Sequence, residues 1–290
     1  MSSKITRVAV VGAGQMGAGI AEVCAKAGLD VIVREMDTKA VEAGRGRIEA
    51  SLARAVRNGK LEQTAADAAL GNLRFTTDLN DLADRQLVME AIVEDERVKS
   101  DLFSMLDKIV EDPEAILATN TSSIPVMRLG TATQRAGQVV GLHFFNPVPV
   151  LPLVEVVSSL LTTPETVARV EAFATDVLGK QTIQARDRAG FVVNALLVPY
   201  LLSAIRMVES GFATAEDIDR GMELGTAHPM GPLRLSDLIG LDTVAAIADS
   251  LYEEFKEQLY APPPLLLRMV EAGLLGKKSG RGFYEYAARK

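Results

Sequence analysis

The segment that most constrains the fold of this chain reads Val8-Ala-Val-Val-Gly12-Ala-Gly14-Gln15-Met16-Gly17. Its first four residues predict a buried strand, and residues 15–27 have helical spacing. The three glycines therefore lie in a strand-to-helix turn, where the pattern G-x-G-x-x-G is typical of a dinucleotide-binding site. Gly12 permits the tight turn, Gly14 lets the backbone approach a pyrophosphate, and Gly17 lets the helix pack against the strand.

The residues after this turn indicate which dinucleotide binds. Gln15 and Met16 begin the helix, and the free amides of a helix N-terminus attract phosphate. The next predicted strand, residues 31–35, ends in Glu35, whose carboxylate can accept hydrogen bonds from the adenosine ribose. The same carboxylate would repel a 2′-phosphate. The sequence therefore predicts NAD as the cofactor and disfavours NADP, although the adjacent Arg34 makes this preference incomplete.

The composition excludes several classes of protein. Acidic side chains number 38 against 31 basic ones, and this net charge of -7 argues against a general binder of nucleic acid or of anionic membranes. The longest uninterrupted apolar run, residues 195–205, is about half of the length that crosses a bilayer, so it predicts a buried helix. No signal peptide is apparent before the first strand.

The single cysteine and the two histidines narrow the chemistry further. Cys24 has no partner for a disulfide within the chain, so we expect a reducing compartment, the cytoplasm. His143 and His228 are far apart in the sequence, and no pair of metal-binding side chains has ligand-type spacing, so we expect no metal site. His228 lies among prolines and glycines and is interpreted as a surface or packing residue.

Hydrophobic periodicity divides the chain into two parts. Short apolar runs alternate with amphipathic ones as far as about Arg186, and beyond it only helical spacing appears. The predicted strands are residues 7–11, 31–35, 73–76, 86–91, 116–119, 139–143, 153–157 and 181–185, and the predicted helices are residues 15–27, 38–57, 96–110, 164–178, 190–210, 215–224, 241–258 and 262–272. We therefore predict an α/β chain, in which a Rossmann-like doubly wound sheet over residues 1–186 precedes an all-helical domain over residues 187–290.

One histidine is placed where an acid–base group would be useful. His143 ends a predicted strand, and ligands of open α/β sheets bind outside the carboxyl ends of the strands. Glu155 is a carboxylate inside an otherwise aliphatic strand, which is costly to bury without a partner. The prolines between them predict a loop that could turn back and pair the two. Such a pair is either a catalytic base with its orienting carboxylate or a structural salt bridge.

Further polar residues have both a functional and a structural interpretation. Asn120, Ser122 and Ser123 follow another predicted strand and can donate to a substrate oxygen, but Ser122 or Ser123 could instead cap a helix that begins near Pro125. Asn194 is a lone amide on an apolar helix, so it either makes a structural hydrogen bond or projects into a site. The arginine-bearing helix 38–57 is either a solvated face or a site for a polyanion.

Several motifs together resemble one family, the 3-hydroxyacyl-CoA dehydrogenases, and within it most closely the single-function bacterial 3-hydroxybutyryl-CoA branch. The motifs that carry this resemblance are Gly12-Ala-Gly-Gln-Met-Gly-Ala-Gly-Ile-Ala, Met89-Glu-Ala-Ile-Val-Glu, Asn120-Thr-Ser-Ser, His143-Phe-Phe-Asn-Pro-Val-Pro, Gly190-Phe-Val-Val-Asn, Asp237-Leu-Ile-Gly-Leu-Asp and Gly276-Lys-Lys-Ser-Gly-Arg-Gly-Phe-Tyr-Glu-Tyr. They cover nearly the whole chain, and the His-Phe-Phe-Asn-Pro run is far more specific than the glycine motif.

The resemblance implies a role for each matching residue. His143 is then the catalytic base, Glu155 its orienting carboxylate, and Ser122 and Asn194 contact the reacting oxygen and the thioester end of the substrate. The implied cofactor contacts are Gly12, Gly14, Gln15, Met16, Gly17, Glu35, Glu94, Lys99, Asn120, Ser122, Asn146 and Lys278. Ser51 matches a coenzyme A contact. A lysine that some members carry falls here on Asn58, and Arg54, Arg57 or Lys60 would substitute for it.

The implied activity is the NAD-dependent interconversion of a 3-hydroxyacyl-CoA and a 3-ketoacyl-CoA by a homodimer whose helical domain binds substrate and dimerises. Two alternatives stay open. A sugar-acid dehydrogenase of the L-gulonate type shares the histidine and serine motifs, and the basic helix mildly favours the coenzyme A ester over it. A non-catalytic dinucleotide-binding protein is disfavoured because it would not need Ser122, His143, Glu155 and Asn194 together.

Overall fold

The computed structural model describes residues 4–286, which form two units that meet in sequence between Asp187 and Arg188. In the first unit the strands are β1 Arg7–Val11, β2 Asp30–Arg34, β3 Leu73–Thr76, β4 Leu87–Glu90, β5 Ile116–Thr119, β6 Val139–Phe144, β7 Leu153–Ser158 and β8 Gln181–Arg186. Its helices are α1 Gln15–Lys26, α2 Thr38–Arg57, α3 Gln63–Gly71, α4 Glu96–Ile109, α5 Val126–Thr131 and α6 Pro164–Ala172. The second unit consists of α7 Val193–Glu209, α8 Ala215–Thr226, α9 Pro232–Ile239, α10 Leu241–Phe255 and α11 Pro264–Glu271.

The eight strands form one sheet in the order β3-β2-β1-β4-β5-β6-β7-β8. The first six pair in parallel, and β1 and β4 are neighbours at the point where the strand order reverses. Helices cover both faces of such a sheet, which is why β4 and β5 are buried and are apolar except for their last residues, Glu90 and Thr119. The predicted α/β fold class with a doubly wound sheet is confirmed, and the crevice at β1 and β4 is where such sheets bind ligands.

The pairing changes after β6. A parallel neighbour would require a crossover helix, but Pro147, Pro149 and Pro152 prevent a helix there, so the chain turns back directly. Strand β7 therefore runs antiparallel to β6, and His143 is paired with Glu155 across the two strands. Strand β8 then returns parallel to β7, with Leu153 opposite Gln181.

The glycine turn between β1 and α1 is packed too tightly for larger residues. Gly12 has a φ of +94°, and a Cβ added to Gly17 would lie 1.8 Å from the carbonyl oxygen of Gly12. Helix α2 packs against the same turn through Gly44, where an added Cβ would lie 2.4 Å from the Cβ of Ala13. These glycines allow two helices and a strand to approach the turn closely.

Several element boundaries differ from the prediction. Helices α3 and α9 were not predicted, because each has only eight or nine residues, too few for helical periodicity to stand out. Helix α9 is stabilised from a distance by Asp219, whose carboxylate accepts hydrogen bonds from the backbone amides of Leu233 and Arg234. The predicted helix 164–178 is α-helical only to Ala172 and ends in a π-helical turn, Phe173–Val177.

The second unit has its own apolar core, made by the inner faces of its five helices. Asp237 is fully buried within it and accepts hydrogen bonds from the backbone amides of Phe283 and Tyr284 and from the hydroxyl of Tyr286. These bonds tie the segment after α11 to α9. Within residues 4–286, no helix has the length and apolar character needed to cross a membrane.

Candidate active site

A cleft of about 600 Å³ opens at the carboxyl ends of the central strands. This volume lies in the range of small-molecule binding sites. The cleft is lined by Gly12, Gly14, Gln15, Met16, Arg34, Glu35, Met36, Ala91, Ile92, Val93, Glu94, Val98, Lys99, Asn120 and Ser122. Nine of the residues that the sequence assigns to a cofactor are therefore on one surface, while two others of the same unit, Asn146 and buried Gly17, do not line it.

The glycine turn and the end of β2 form one rim of this cleft. Glu35 accepts a hydrogen bond from the backbone amide of Ala13 at 2.5 Å and another from that of Met36 at 3.2 Å. A Cβ added to Gly14 would meet no protein atom within 4 Å, so open space lies above the turn for a phosphate group. The residues present thus fit a dinucleotide. Glu35 lies beside the turn, where a carboxylate is expected to bind the hydroxyls of the adenosine ribose.

Replacing Glu35 with Ala is expected to weaken NAD binding about 10- to 100-fold, because hydrogen bonds to a charged group contribute about 1.5–3 kcal/mol. Binding of NADP should weaken less, since the carboxylate that repels its 2′-phosphate is gone. Titration calorimetry with both cofactors measures the two affinities. Glu42→Ala, an exposed carboxylate on α2, is the matched control. An unchanged NAD affinity in Glu35→Ala would show that the ribose assignment is wrong.

His143 and Glu155 form a buried pair at the carboxyl end of β6. His143 is 6% exposed and Glu155 is fully buried, and the Nδ1 atom of the histidine lies 2.7 Å from Oε2 of the carboxylate. Because a carboxylate only accepts hydrogen bonds, Nδ1 carries the proton and Nε2 is the basic nitrogen of the neutral ring. The cross-strand register places both side chains on one face of the sheet.

Two neighbours restrict this histidine further. The ring of Phe145 contacts the imidazole edge-on, with 4.6 Å between the ring centroids. The side-chain oxygen of Asn120 accepts a hydrogen bond from the backbone amide of Phe144 at 2.9 Å, which joins the end of β5 to the end of β6. Asn120 therefore helps to fix the strand that carries His143, in addition to lining the cleft.

A buried ionic network lies beneath the cleft. Glu90 and Lys99 are almost completely buried, and their charged groups lie 2.9 Å apart. Glu90 also accepts hydrogen bonds from the backbone amide of Ile92 and from the hydroxyl of Thr119. Lys99 makes a second ion pair, at 2.8 Å, with Glu94. The sequence assigned no role to Glu90, although a carboxylate ending an aliphatic strand is the same signal that singled out Glu155.

Glu94 holds the segment that carries Ser122. Its Oε1 atom accepts hydrogen bonds from the backbone amides of Ser122 and Ser123 and from the hydroxyls of Thr121 and Ser123. Burial alone would raise the pKa of Glu94, but the charge of Lys99 and the donated hydrogen bonds outweigh burial and lower that pKa. The carboxylate is therefore ionised at neutral pH and keeps Ser122 at the edge of the cleft.

The alternative that Ser122 or Ser123 caps a helix is not what the structure shows. Helix α5 begins after Pro125, and no side chain of its N-cap residue makes a hydrogen bond. The carboxylate of Asp187 instead accepts hydrogen bonds from the first two amides of α5, at 2.8 and 2.7 Å. Neither serine caps this helix, and the hydroxyl of Ser123 donates to Glu94 instead.

The remaining predicted site residues belong to the loop after β6, to helix α2 and to the second unit. Asn146 is exposed in the loop after β6, and Asn194 is buried in α7 of the second unit. Lys278 lies in the segment after α11, where its ammonium contacts the carboxylate of Asp242 at 2.5 Å. Ser51 is half-buried on α2, and three basic side chains are exposed on or just after that helix, namely Arg54, Arg57 and Lys60.

An acidic residue on the neighbouring helix α1 is buried near this basic cluster. Glu22 on α1 is buried, and burial raises its pKa against the lowering effect of a hydrogen bond from Ser51 and of nearby Lys26 and Arg54. The side chain of Ser51 is thus turned toward α1 and engaged in the packing of the two helices. The exposed cations of α2 remain available to an anionic ligand.

Comparison with known proteins gives consistent matches along the chain. The family models described as 3-hydroxyacyl-CoA dehydrogenase, NAD binding domain, and 3-hydroxyacyl-CoA dehydrogenase, C-terminal domain, match residues 7–188 and 190–286. A 3-hydroxybutyryl-CoA dehydrogenase of Mycobacterium tuberculosis is 65% identical over 286 residues, which cover 99% of this chain and all of that protein.

Solved structures agree with these sequence matches. The crystal structure of M. tuberculosis FadB2 is 65% identical and superposes with a TM-score of 0.97 over 98% of this chain and 100% of that one. The (S)-3-hydroxybutyryl-CoA dehydrogenase PaaH1 of Ralstonia eutropha is 42% identical, with a TM-score of 0.93 over 98% of this chain and 100% of that one.

Proposed function

This chain belongs to the 3-hydroxyacyl-CoA dehydrogenase family, as its motifs predicted, and on that basis we propose that it oxidises (3S)-3-hydroxyacyl-CoA to 3-ketoacyl-CoA with NAD and catalyses the reverse reaction. The names of its relatives make 3-hydroxybutyryl-CoA the first substrate to test. The observation that carries the proposal is the buried pair of His143 and Glu155 at the carboxyl end of β6, next to the cleft that the glycine turn and Asn120 line.

The base in this reaction is His143. Its Nε2 atom removes the proton of the substrate 3-hydroxyl, and Glu155 stabilises the imidazolium that forms. NAD held by the glycine turn and Glu35 would supply the acceptor for the hydride of C3. In the direction of reduction the imidazolium returns the proton to the oxygen. The fixed tautomer matters because only an unprotonated Nε2 can act as the base.

Ser122 and Asn194 are proposed to hold the substrate at its reacting end. A hydroxyl and an amide directed at an oxygen stabilise the negative charge that develops there during hydride transfer. The anchoring of Ser122 by Glu94 supports this role, because a donor contributes most when it does not have to reorganise. Asn194 rests on the family resemblance alone.

The cofactor contacts are proposed at Gly12, Gly14, Gln15, Met16, Gly17, Glu35, Glu94, Lys99, Asn120, Ser122, Asn146 and Lys278. Two of these residues are also engaged in contacts within the protein. Lys99 is almost fully buried between two carboxylates, and Glu94 is occupied by the segment around Ser122. Both act on the cofactor through the cleft wall that they build, in addition to any direct contact.

The phosphates of coenzyme A are proposed to bind at α2. The side chains of Arg54, Arg57 and Lys60 are exposed. They form a local positive patch in a chain whose net charge is -7. Ser51 lies on the same helix. We further propose that residues 1–186 are the NAD-binding domain, that the helical residues 187–290 are the substrate-binding and dimerisation domain, that the protein is a homodimer, and that it acts in the cytoplasm.

The decisive experiment is a substrate comparison with purified protein. We expect NADH oxidation on addition of acetoacetyl-CoA, slower oxidation of NADPH, and NAD reduction with (3S)-3-hydroxybutyryl-CoA. L-Gulonate serves as the competing substrate. Turnover of L-gulonate with none of acyl-CoA would select the sugar-acid alternative, and cofactor binding without any turnover would select the non-catalytic one.

A truncated substrate tests the coenzyme A site in the same assay. Acetoacetyl-pantetheine keeps the thioester but lacks the nucleotide phosphates, so its KM should exceed that of acetoacetyl-CoA by about tenfold or more if charge-assisted contacts to phosphate are lost. The difference should shrink in Arg54→Ala/Arg57→Ala. A KM difference that persists undiminished in Arg54→Ala/Arg57→Ala would place the phosphates away from α2.

A further inference from the structure

The loop between β6 and β7 is held by a lysine from another part of the chain. This loop, residues 145–152, connects the strand of His143 to the strand of Glu155. The ammonium of Lys180 donates a hydrogen bond to the backbone carbonyl of Val148 at 2.6 Å and another to that of Leu151 at 2.7 Å. Lys180 directly precedes β8 and is buried.

The surroundings of Lys180 show that these two carbonyls are its chief partners. Across residues 4–286, no carboxylate lies within 4.0 Å of its ammonium group. Burial lowers the pKa of Lys180, and the charge of Lys26 lowers it further. Burying a cation without a neighbouring anion costs free energy, and the hydrogen bonds of Lys180 to the loop carbonyls offset that cost.

The same loop is fixed on its other side by close packing. A Cβ added to Gly19 of α1 would lie 2.9 Å from the Cβ of Val148, so the loop rests directly on that helix. Two further bonds shape it: the amides of Val150 and Leu151 both donate to the carbonyl of Pro147. Beside the lysine, the amide of Gln181 donates to the carbonyl of Pro152 at 2.8 Å.

The geometry of this loop determines whether His143 meets Glu155. The two strands pair from Gly141 opposite Val157 to Phe144 opposite Val154, and the loop begins at the next residue. A shift of one residue in this register would move the carboxylate to the other face of the sheet. A smaller displacement would misdirect the imidazole, because Phe145 of the loop packs against it.

We propose that Lys180 is a positioning residue for the His143–Glu155 pair, which it serves by clamping the carbonyls of Val148 and Leu151 and so fixing the register of β6 and β7. Its effect on turnover rests on the proposed function, whereas its effect on the histidine does not. The clamp belongs to the first unit alone and needs no ligand to be present.

The test compares Lys180→Met, which removes the donors at similar size, with Lys180→Arg, which retains a cationic donor. Only two histidines occur in the chain, so the imidazole nitrogens of His143 and His228 can be followed separately by NMR and assigned with His228→Gln. In Lys180→Met we expect the Nδ1–H signal of His143 to shift or broaden while His228 stays unchanged. Lys180→Arg should restore the signal, and Lys108→Met, an exposed lysine on α4, should leave it as it is.

Kinetic constants distinguish an effect of Lys180 on the position of His143 from an effect on the stability of the protein. In Lys180→Met, kcat should fall about 10- to 100-fold, since a displacement near 1 Å can cost about a hundredfold, with little change in the KM for acetoacetyl-CoA. If the Met variant does not fold, Lys180→Gln, which keeps one donor, should give an intermediate histidine shift. A His143 spectrum unaltered in Lys180→Met or Lys180→Gln overturns the proposal. Absence of acyl-CoA turnover in the unmodified protein would overturn the proposed function and leave the NMR result valid.

Discussion

Replacing His143 with Ala is expected to reduce turnover of 3-hydroxybutyryl-CoA by about 10³-fold or more, because a positioned acid–base group contributes about 10²–10⁴-fold. The Nε2 atom is the only base that the buried pair presents, and Glu155 cannot take its place because it lies behind the imidazole. Binding of NAD should stay close to that of the unmodified protein, since the histidine does not line the cofactor cleft. Stopped-flow measurement of hydride transfer and calorimetric titration of NAD give the two quantities.

The second histidine provides the matched control. His228 contacts the hydroxyl of Tyr200 within the helical unit, and His228→Ala should retain near-normal turnover. Glu155→Gln keeps the size of the side chain but can present an amide to Nδ1, so an intermediate loss is expected, as for a base held in the wrong tautomer. Turnover of His143→Ala within tenfold of normal would contradict the mechanism.

Replacing Gly17 with Ala is expected to abolish detectable NAD binding and to destabilise the first unit. The new Cβ would lie 1.8 Å from the carbonyl oxygen of Gly12 and 3.3 Å from the Cβ of Ala91, so the turn must open. Overpacking of this kind costs about 1–3 kcal/mol in side-chain cores, and more is expected here because the obstacle is backbone. Thermal unfolding with and without NAD measures both effects.

Two other glycines make this result interpretable. Gly46 on α2 has open space around it, so Gly46→Ala should raise stability by about 0.5–1 kcal/mol and leave NAD binding unchanged. Gly14→Ala meets no protein atom and should fold normally, yet bind NAD less well because its Cβ enters the space left for the pyrophosphate. Normal NAD affinity in Gly17→Ala would mean that the turn is not the cofactor cradle.

Much of the first unit could be predicted because its signals are local. Apolar runs gave the strand positions to within one or two residues, and the glycine spacing located the turn between β1 and α1. The buried carboxylate in β7 led to a histidine partner because burial of an unpaired charge is costly, and the two groups are in contact. The predicted family is confirmed by the models that match both parts of the chain.

Other features had no signal in the sequence. Helix α9 depends on Asp219, a carboxylate of the preceding helix that reaches its first amides. The same holds for Asp187, which caps α5 from 60 or 61 positions away along the chain. Distant capping cannot be read from a window of neighbouring residues, because the donor and the acceptor become adjacent only after the elements have packed.

The sequence by itself determined the fold class, the nucleotide turn and the family, since these follow from periodicity, from glycine geometry and from motifs that are contiguous. Only the tertiary structure decided which side chains support the chemistry. Glu90, Glu94 and Lys99 meet because the chain turns from the end of β4 into the first turn of α4, and Lys180 reaches the loop after His143 because β8 is the neighbour of β7. Such contacts depend on how the chain turns and on which strands become neighbours, and it is their geometry after folding that gives them an effect.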